Sequence, residues 1–198
     1  MNRRNFMGAA GAGLMATVAL PSAALALTTG EAQALITRVV GDIQNVINSG
    51  ASESRMLSQF EGIFERYGNT QVIALRVLGS DARSASQAQL RNYVAAFEGY
   101  IARKYGRRFR EFIGGQIAVI NARPVKSWFE VQATVTLRGQ APFRVDFLVK
   151  EAGGRNLFFD LSIEGVSLTR VEREEVGAML DRRGGNIDQL IADLQRAG

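Results

Sequence analysis

The hydrophobic period of the chain changes twice, and that pattern constrains the fold more than anything else in it. Through residues 30–113 the apolar side chains recur every three or four positions, the spacing of one helix face. After Gly114-Gly115 they alternate with polar residues as far as residue 163, the spacing of a strand with one covered face. From residue 167 onward the helical spacing returns. Helices before and after an antiparallel meander imply an α+β fold, with a curved antiparallel sheet of about four strands covered by helices on one face.

Residues 127–138 give the clearest strand. Phe129, Val131, Ala133, Val135 and Leu137 fall on one face, and Trp128, Glu130, Gln132, Thr134, Thr136 and Arg138 on the other. In residues 143–150, Phe143, Val145, Phe147 and Val149 alternate with Arg144, Asp146, Leu148 and Lys150. In residues 157–163, Leu157, Phe159, Leu161 and Ile163 alternate with Phe158, Asp160 and Ser162. Gly153-Gly154 reads as the hairpin between these two strands. A first strand over residues 116–125 completes the meander, and Gly165 is expected to turn the chain from the last strand into a helix.

Four helices are expected ahead of the sheet, over residues 30–48, 52–66, 70–78 and 86–105. The last opens on the capping box Ser86-Gln87-Ala88-Gln89. Two more follow the sheet, over residues 167–182 and 187–196. No internal repeat or long linker divides the chain, so residues 27–198 read as one domain.

Residues 1–26 read as a cleaved signal peptide. Arg3-Arg4 precede a weakly apolar run rich in Gly and Ala, and Ala24-Leu25-Ala26 forms an A-x-A cleavage pattern. The paired arginines with Phe6 close behind resemble a twin-arginine signal, with Sec export as the other route. The expected location is the periplasm. Without residues 1–26 the chain keeps 22 basic and 19 acidic residues, a mild positive balance suited to anionic headgroups or acidic proteins, with nucleic acid not expected. The sequence has no cysteine and no histidine. It therefore offers no thiol nucleophile, no imidazole base and none of the usual zinc ligands. No catalytic residue, metal site or cofactor is expected.

The ordered combination of AQLRNYVAAFEGYIARKYG (88–106), RVDF (144–147), FFDLSIEGVSL (158–168) and GGNIDQLIADL (184–194) resembles the MlaC family of periplasmic lipid shuttles, also called toluene-tolerance proteins. The resemblance runs from about Leu35 to Leu194. Local departures are the extra residue in Gly184-Gly185-Asn186-Ile187 and Ser86-Gln87 in place of Thr-Pro. The resemblance implies a nuclear-transport-factor-2-like fold with an apolar cavity for phospholipid acyl chains. It implies a carrier between an outer-membrane lipoprotein complex and an inner-membrane ABC lipid transporter with a membrane-anchored lipid-binding subunit, a system that maintains outer-membrane lipid asymmetry. A branch of the family is associated with hopanoid-producing bacteria, which makes a hopanoid-related lipid an alternative cargo.

On that reading the sheet supplies a lipid wall of Val131, Ala133, Val135, Val145, Phe147, Leu157, Phe159 and Leu161. The lid comes from Phe60, Phe64, Phe97, Tyr100 and Ile101, with Val166 and Leu168 after the last strand. Spacing alone is met equally by an ordinary packed core. Arg103, Lys104, Arg107, Arg108 and Arg110 cluster after the aromatic helix and are candidates, with Arg144, for headgroup contact or partner docking. The other reading of the cluster is a solvated helix C-terminus. Arg144, Asp146 and Asp160 share the outward parity and suggest a docking patch or cross-strand pairs. A different function class remains open, a small enzyme of the same cone-like fold using Asp146, Asp160 or Glu164 beside a pocket.

Overall fold

A computed structural model of the protein describes residues 27–198; the expected signal segment, residues 1–26, lies outside them. Helix α1 (Thr29–Ile47) starts at Thr28, whose side chain and Glu31 form a capping box. Helices α2 (Glu53–Tyr67) and α3 (Thr70–Leu78) follow, and a 3-10 turn (Gly79–Arg83) leads to α4 (Gln87–Gly106). The expected capping box between Ser86 and Gln89 opens α4. A second 3-10 segment (Arg107–Phe112) precedes strands β1 (Gln116–Val125), β2 (Trp128–Thr136), β3 (Phe143–Ala152) and β4 (Arg155–Ile163). Helices α5 (Leu168–Arg182) and α6 (Ile187–Arg196) close the chain.

The sheet has five strands in the order β1-β2-β3-β4-β5, all antiparallel. The fifth, β5 (Val166–Ser167), is the strand that sequence alternation does not reveal, because two residues carry no period. Glu164 and Gly165 both have positive φ, 48° and 79°, as a two-residue primed hairpin turn requires. The turn therefore makes a short extra pairing of Ser167 with Ser162 and of Val166 with Ile163 before the chain enters α5.

The inner sheet face carries Val131, Ala133, Val135, Val145, Phe147 and Val149, all buried. Helix α1 lies across β1 to β4 and buries Leu35, Ile36, Val39 and Val40. Helix α4 sits on α2, α3 and α6, with Tyr93 and Phe97 fully buried.

The alternation expected in β4 holds only for part of the strand. The pairing of β3 with β4 shifts register so that Leu148 faces Asp160 while the next residue, Val149, faces Phe158. Phe159 is the extra residue of a β-bulge, and a bulge reverses the parity of everything beyond it. Leu161 keeps the inner parity, opposite Phe147, but Leu157 stands opposite Lys150 on the other face. Phe158 takes the inner position expected of Phe159. Its ring meets Phe147 at 6.2 Å and Phe64 at 5.8 Å. Phe159 instead lies edge-on to Trp128, at 6.1 Å, among the outward residues.

The outward acids also separate. Arg144 Nε donates to Asp146 Oδ1 at 2.7 Å, and Glu130 joins Arg144 and Arg123 at 3.1 and 2.7 Å. This chain of ion pairs spans β1, β2 and β3. Asp160 is not part of it. Buried, it accepts hydrogen bonds from Thr169 N (3.1 Å), Thr169 Oγ1 (2.7 Å) and Ser167 Oγ (2.7 Å), which fixes the first turn of α5 to β4. Asp160→Ala leaves buried donors unmet and is expected to cost about 2–3 kcal/mol. Glu174→Ala, on the exposed side of the same helix, is expected to change stability by less than about 0.5 kcal/mol. Urea unfolding of the two variants measures both.

Candidate functional site

A narrow apolar slot runs between the helices and β4. Phe64 of α2, Ile73 of α3, Phe97 and Ile101 of α4, Phe158 and Leu161 of β4, and Leu168 of α5 form most of its wall. Asp160, Thr169 and Glu172 complete it. Four helices contribute because each presents its apolar stripe to the same stretch of strand, the part that the bulge turns inward. The slot holds about 30 Å³, room for water but far too little for an acyl chain, which needs a wider slot than this.

Of the residues expected at a lipid site, Phe64, Phe97, Ile101, Leu161 and Leu168 line the slot. Val131, Ala133, Val135, Val145 and Phe147 do not: they are buried in the core beneath α1. Phe60 is buried as well, and Tyr100 is buried where α4 meets α5, its hydroxyl bonded to Glu175. Leu157 and Phe159 are carried off the inner face by the bulge, and Val166, 57% exposed, covers nothing. The slot thus lies to one side of the expected wall. Ile73, Phe158 and Glu172 are lining residues that strand and helix spacing did not single out.

Glu172 is the unusual member, an acid only 1% exposed beside apolar side chains. Lys104 of α4 reaches across to it, with Nζ donating to Oε1 at 2.8 Å and to Oε2 at 3.1 Å. Lys104 also donates to Glu175 at 2.5 Å, Tyr100 OH donates to Glu175 at 2.8 Å, and Tyr105 OH donates to Glu172. Burial first, and the neighbouring carboxylates second, push the Tyr100 and Tyr105 hydroxyls up, so both remain protonated donors. Burial acts to lower the Lys104 ammonium, but its hydrogen bonds to Glu172 and Glu175 outweigh that and hold it above its usual range. The Lys104 hydrogen bond is the main cause that holds the Glu175 carboxyl below its usual range. The cluster is a clamp between α4 and α5 along one side of the slot.

The basic residues expected at a headgroup are scattered. Arg103 donates to the carbonyls of Ala197 (2.9 Å) and Leu194 (2.6 Å) at the end of α6. Lys104 belongs to the clamp, and Arg144 is held by Asp146 and Glu130. Arg107 and Arg108 are exposed on the second 3-10 segment, where Arg108 approaches Glu111 at 3.6 Å; the Arg110 side chain lies outside those described. None of those whose side chains are described lines the slot. The carboxylates considered for an enzyme are engaged too: Asp146 by Arg144, Asp160 by the start of α5, and Glu164 by the Arg144 backbone N–H. Among the described residues no group of acids is placed to hold a metal ion.

The clamp has a defined pH window. A carboxyl whose folded pKa is lowered, here Glu175, stabilises the fold above its unfolded value of about 4.3 and loses that contribution as pH falls through the folded value. An ammonium whose folded pKa is raised, here Lys104, contributes below about 10.4 and loses its share as pH rises through the folded value. Lys104→Met strands the buried Glu172 and is expected to cost about 3–4 kcal/mol near pH 7. The part of that gap that rests on Glu175 narrows as pH falls through its lowered folded value. Glu175→Gln, at a more exposed acid, is expected to cost under about 1 kcal/mol. Thermal or urea unfolding across pH reads these differences.

The fold has a known counterpart. The fold is similar to that of the phospholipid-binding protein from Ralstonia solanacearum, solved in complex with a phospholipid. The two are 18% identical, and the match covers 83% of this chain and 95% of that one with a TM-score of 0.72. Residues 33–196, which include every lining residue of the slot, match the family model described as MlaC protein. On the strength of that match, the chain belongs to the MlaC family.

Proposed function

We propose that the chain is a phospholipid carrier of the periplasm, which takes the acyl tails of its cargo into a widened form of the slot between β4 and helices α2–α5. The observation that carries this reading is the slot itself, an apolar seam with contributions from four helices and one strand, placed where apolar contacts can be exchanged for others. Membership of the MlaC family and the phospholipid held by the Ralstonia relative support it. The physical requirement is enclosure. Burial of a methylene is worth about 0.8 kcal/mol, so a two-chain lipid with about thirty of them faces on the order of 20 kcal/mol in crossing water unprotected. A carrier offsets that cost by replacing contacts among Phe97, Ile101, Phe158 and Leu161 with contacts to the tails.

In this reading the carrier works between an inner-membrane ABC lipid transporter, through its membrane-anchored lipid-binding subunit, and an outer-membrane lipoprotein complex, and so maintains the lipid asymmetry of the outer membrane. The signal-like residues 1–26 support export to the periplasm.

Native mass spectrometry of the purified protein tests the reading. A two-chain phospholipid bound near one to one is expected. Lipid-free protein that also takes nothing from phospholipid vesicles contradicts it. Position is tested by substitution. Ile101→Glu and Leu161→Glu are expected to reduce lipid loading at least about tenfold by placing a charge in the slot. Val135→Glu and Val145→Glu are expected to unfold the protein instead, because they place that charge in the core beneath α1. Circular dichroism alongside vesicle uptake separates the two effects.

A further inference from the structure

A second concavity shares Thr169 with the slot and is of opposite character. It is a cleft of about 630 Å³ between the end of α3 with its 3-10 turn and the start of α5. Arg76 and Arg83 line it from one side and Arg170 and Arg173 from the other, with Ser80, Ser167 and Thr169 between them. No carboxylate lines it. Asp160 is behind Thr169 and Ser167, buried and occupied by their hydrogen bonds. Arg170 approaches Glu174 at 3.7 Å in a largely exposed pair, whereas Arg76, Arg83 and Arg173 form no ion pair with any described residue.

Two of the guanidinium groups are held in place by other means. Arg76 lies over the Phe159 ring, 5.3 Å from its centroid, and the bulge in β4 is what turns that ring outward to meet it. Arg173 packs over Gly79, with Nη2 only 2.7 Å from where a Cβ would stand, and Gly79 has a φ of +68° that a side chain would resist. Four like charges in one cleft repel one another, and an anion that accepts from several guanidinium groups at once relieves the repulsion. A phosphate is suited to this because its oxygens match the fork of arginine donors. Thr169 lines both the cleft and the slot, so an anionic group in the first and an apolar chain in the second are contiguous.

We propose that this arginine cleft binds the phosphate of the cargo lipid's headgroup, so that the chain selects lipids bearing a phosphate over lipids with the same tails and none. The proposal rests on the carrier reading above and assigns the headgroup to residues that the contiguous basic run 103–110 does not include. Free phosphate shares the chemistry but has no use for the adjoining apolar slot.

The test offers the purified protein vesicles containing phosphatidylglycerol and diacylglycerol of the same acyl composition, with bound lipid counted by mass spectrometry. Wild type is expected to favour phosphatidylglycerol by at least about tenfold. Arg83→Gln with Arg173→Gln is expected to abolish most of that preference while diacylglycerol uptake stays the same, which also shows that the variant is folded. Lysine at both positions is expected to restore part of the preference. If the double variant does not fold, Arg83→Gln alone, on an exposed turn, gives the same readout. An unchanged ratio in the folded variant overturns the proposal. Uptake of neither lipid by wild type overturns the carrier reading and the proposal with it. Calorimetry with inorganic phosphate separates the two sources: saturable phosphate binding lost in the variant, with the lipid ratio unchanged, marks a free-anion site and overturns the headgroup assignment.

Discussion

The helices are fastened to the sheet along strand β4. At one end the Asn69 N–H donates to the Phe158 carbonyl at 2.7 Å, and Arg155 donates to the carbonyl of Arg66 at 2.6 Å. Gly68 must be glycine there, since a Cβ would stand 2.7 Å from the Phe64 carbonyl oxygen and 3.0 Å from the Phe158 ring. At the other end Asp160 holds the first turn of α5. Around these polar anchors the contact is apolar, and Phe158 and Leu161 of this stretch line the slot. Directional hydrogen bonds fix the helices to β4, while the apolar contacts around them depend on burial, which is non-directional and exchangeable. A seam built in this way can admit an apolar guest without losing the register of the fold.

The same strand links the slot to the rest of the surface. Its bulge turns Phe158 inward to the slot and Phe159 outward beneath Arg76. The clamp of Lys104, Glu172 and Glu175 closes the side of the slot formed by α4 and α5. A buried ion pair gives little net stability but makes a wrong arrangement costly, so its natural role here is to fix how α4 and α5 sit against each other.

Periodicity carried much of the architecture. The switch from helical to alternating spacing at Gly114-Gly115 marks the start of the sheet, and Val131, Ala133, Val135, Val145 and Phe147 share the buried face that alternation assigns them. The bulge was hidden because Phe158 and Phe159 are adjacent and identical in chemistry, so either parity looks apolar. Sequence could not show which half of an apolar face is covered by α1 and which is left to a slot, because that depends on where α1 crosses the sheet. The basic run 103–110 drew attention by contiguity, yet Arg103 is spent on α6 carbonyls, Lys104 on Glu172, and Arg107 and Arg108 face solvent. The arginines that do converge come in pairs almost a hundred positions apart, and in sequence each looks like an ordinary solvated surface residue. Glu172 was equally inconspicuous within the charged run Glu172-Arg173-Glu174-Glu175.

The central claim is that lipid enters by separating α4 from β4, and the distance between the helix layer and the sheet tests it most directly. The chain has no cysteine, so two introduced at exposed positions, Ala95→Cys on α4 and Lys150→Cys on β3, carry spin labels without background. Pulsed electron resonance on lipid-free protein and on protein shown to carry phospholipid then compares the two distance distributions. The account predicts a longer mean distance in the loaded protein. An identical distribution in protein that demonstrably holds a two-chain lipid would contradict it.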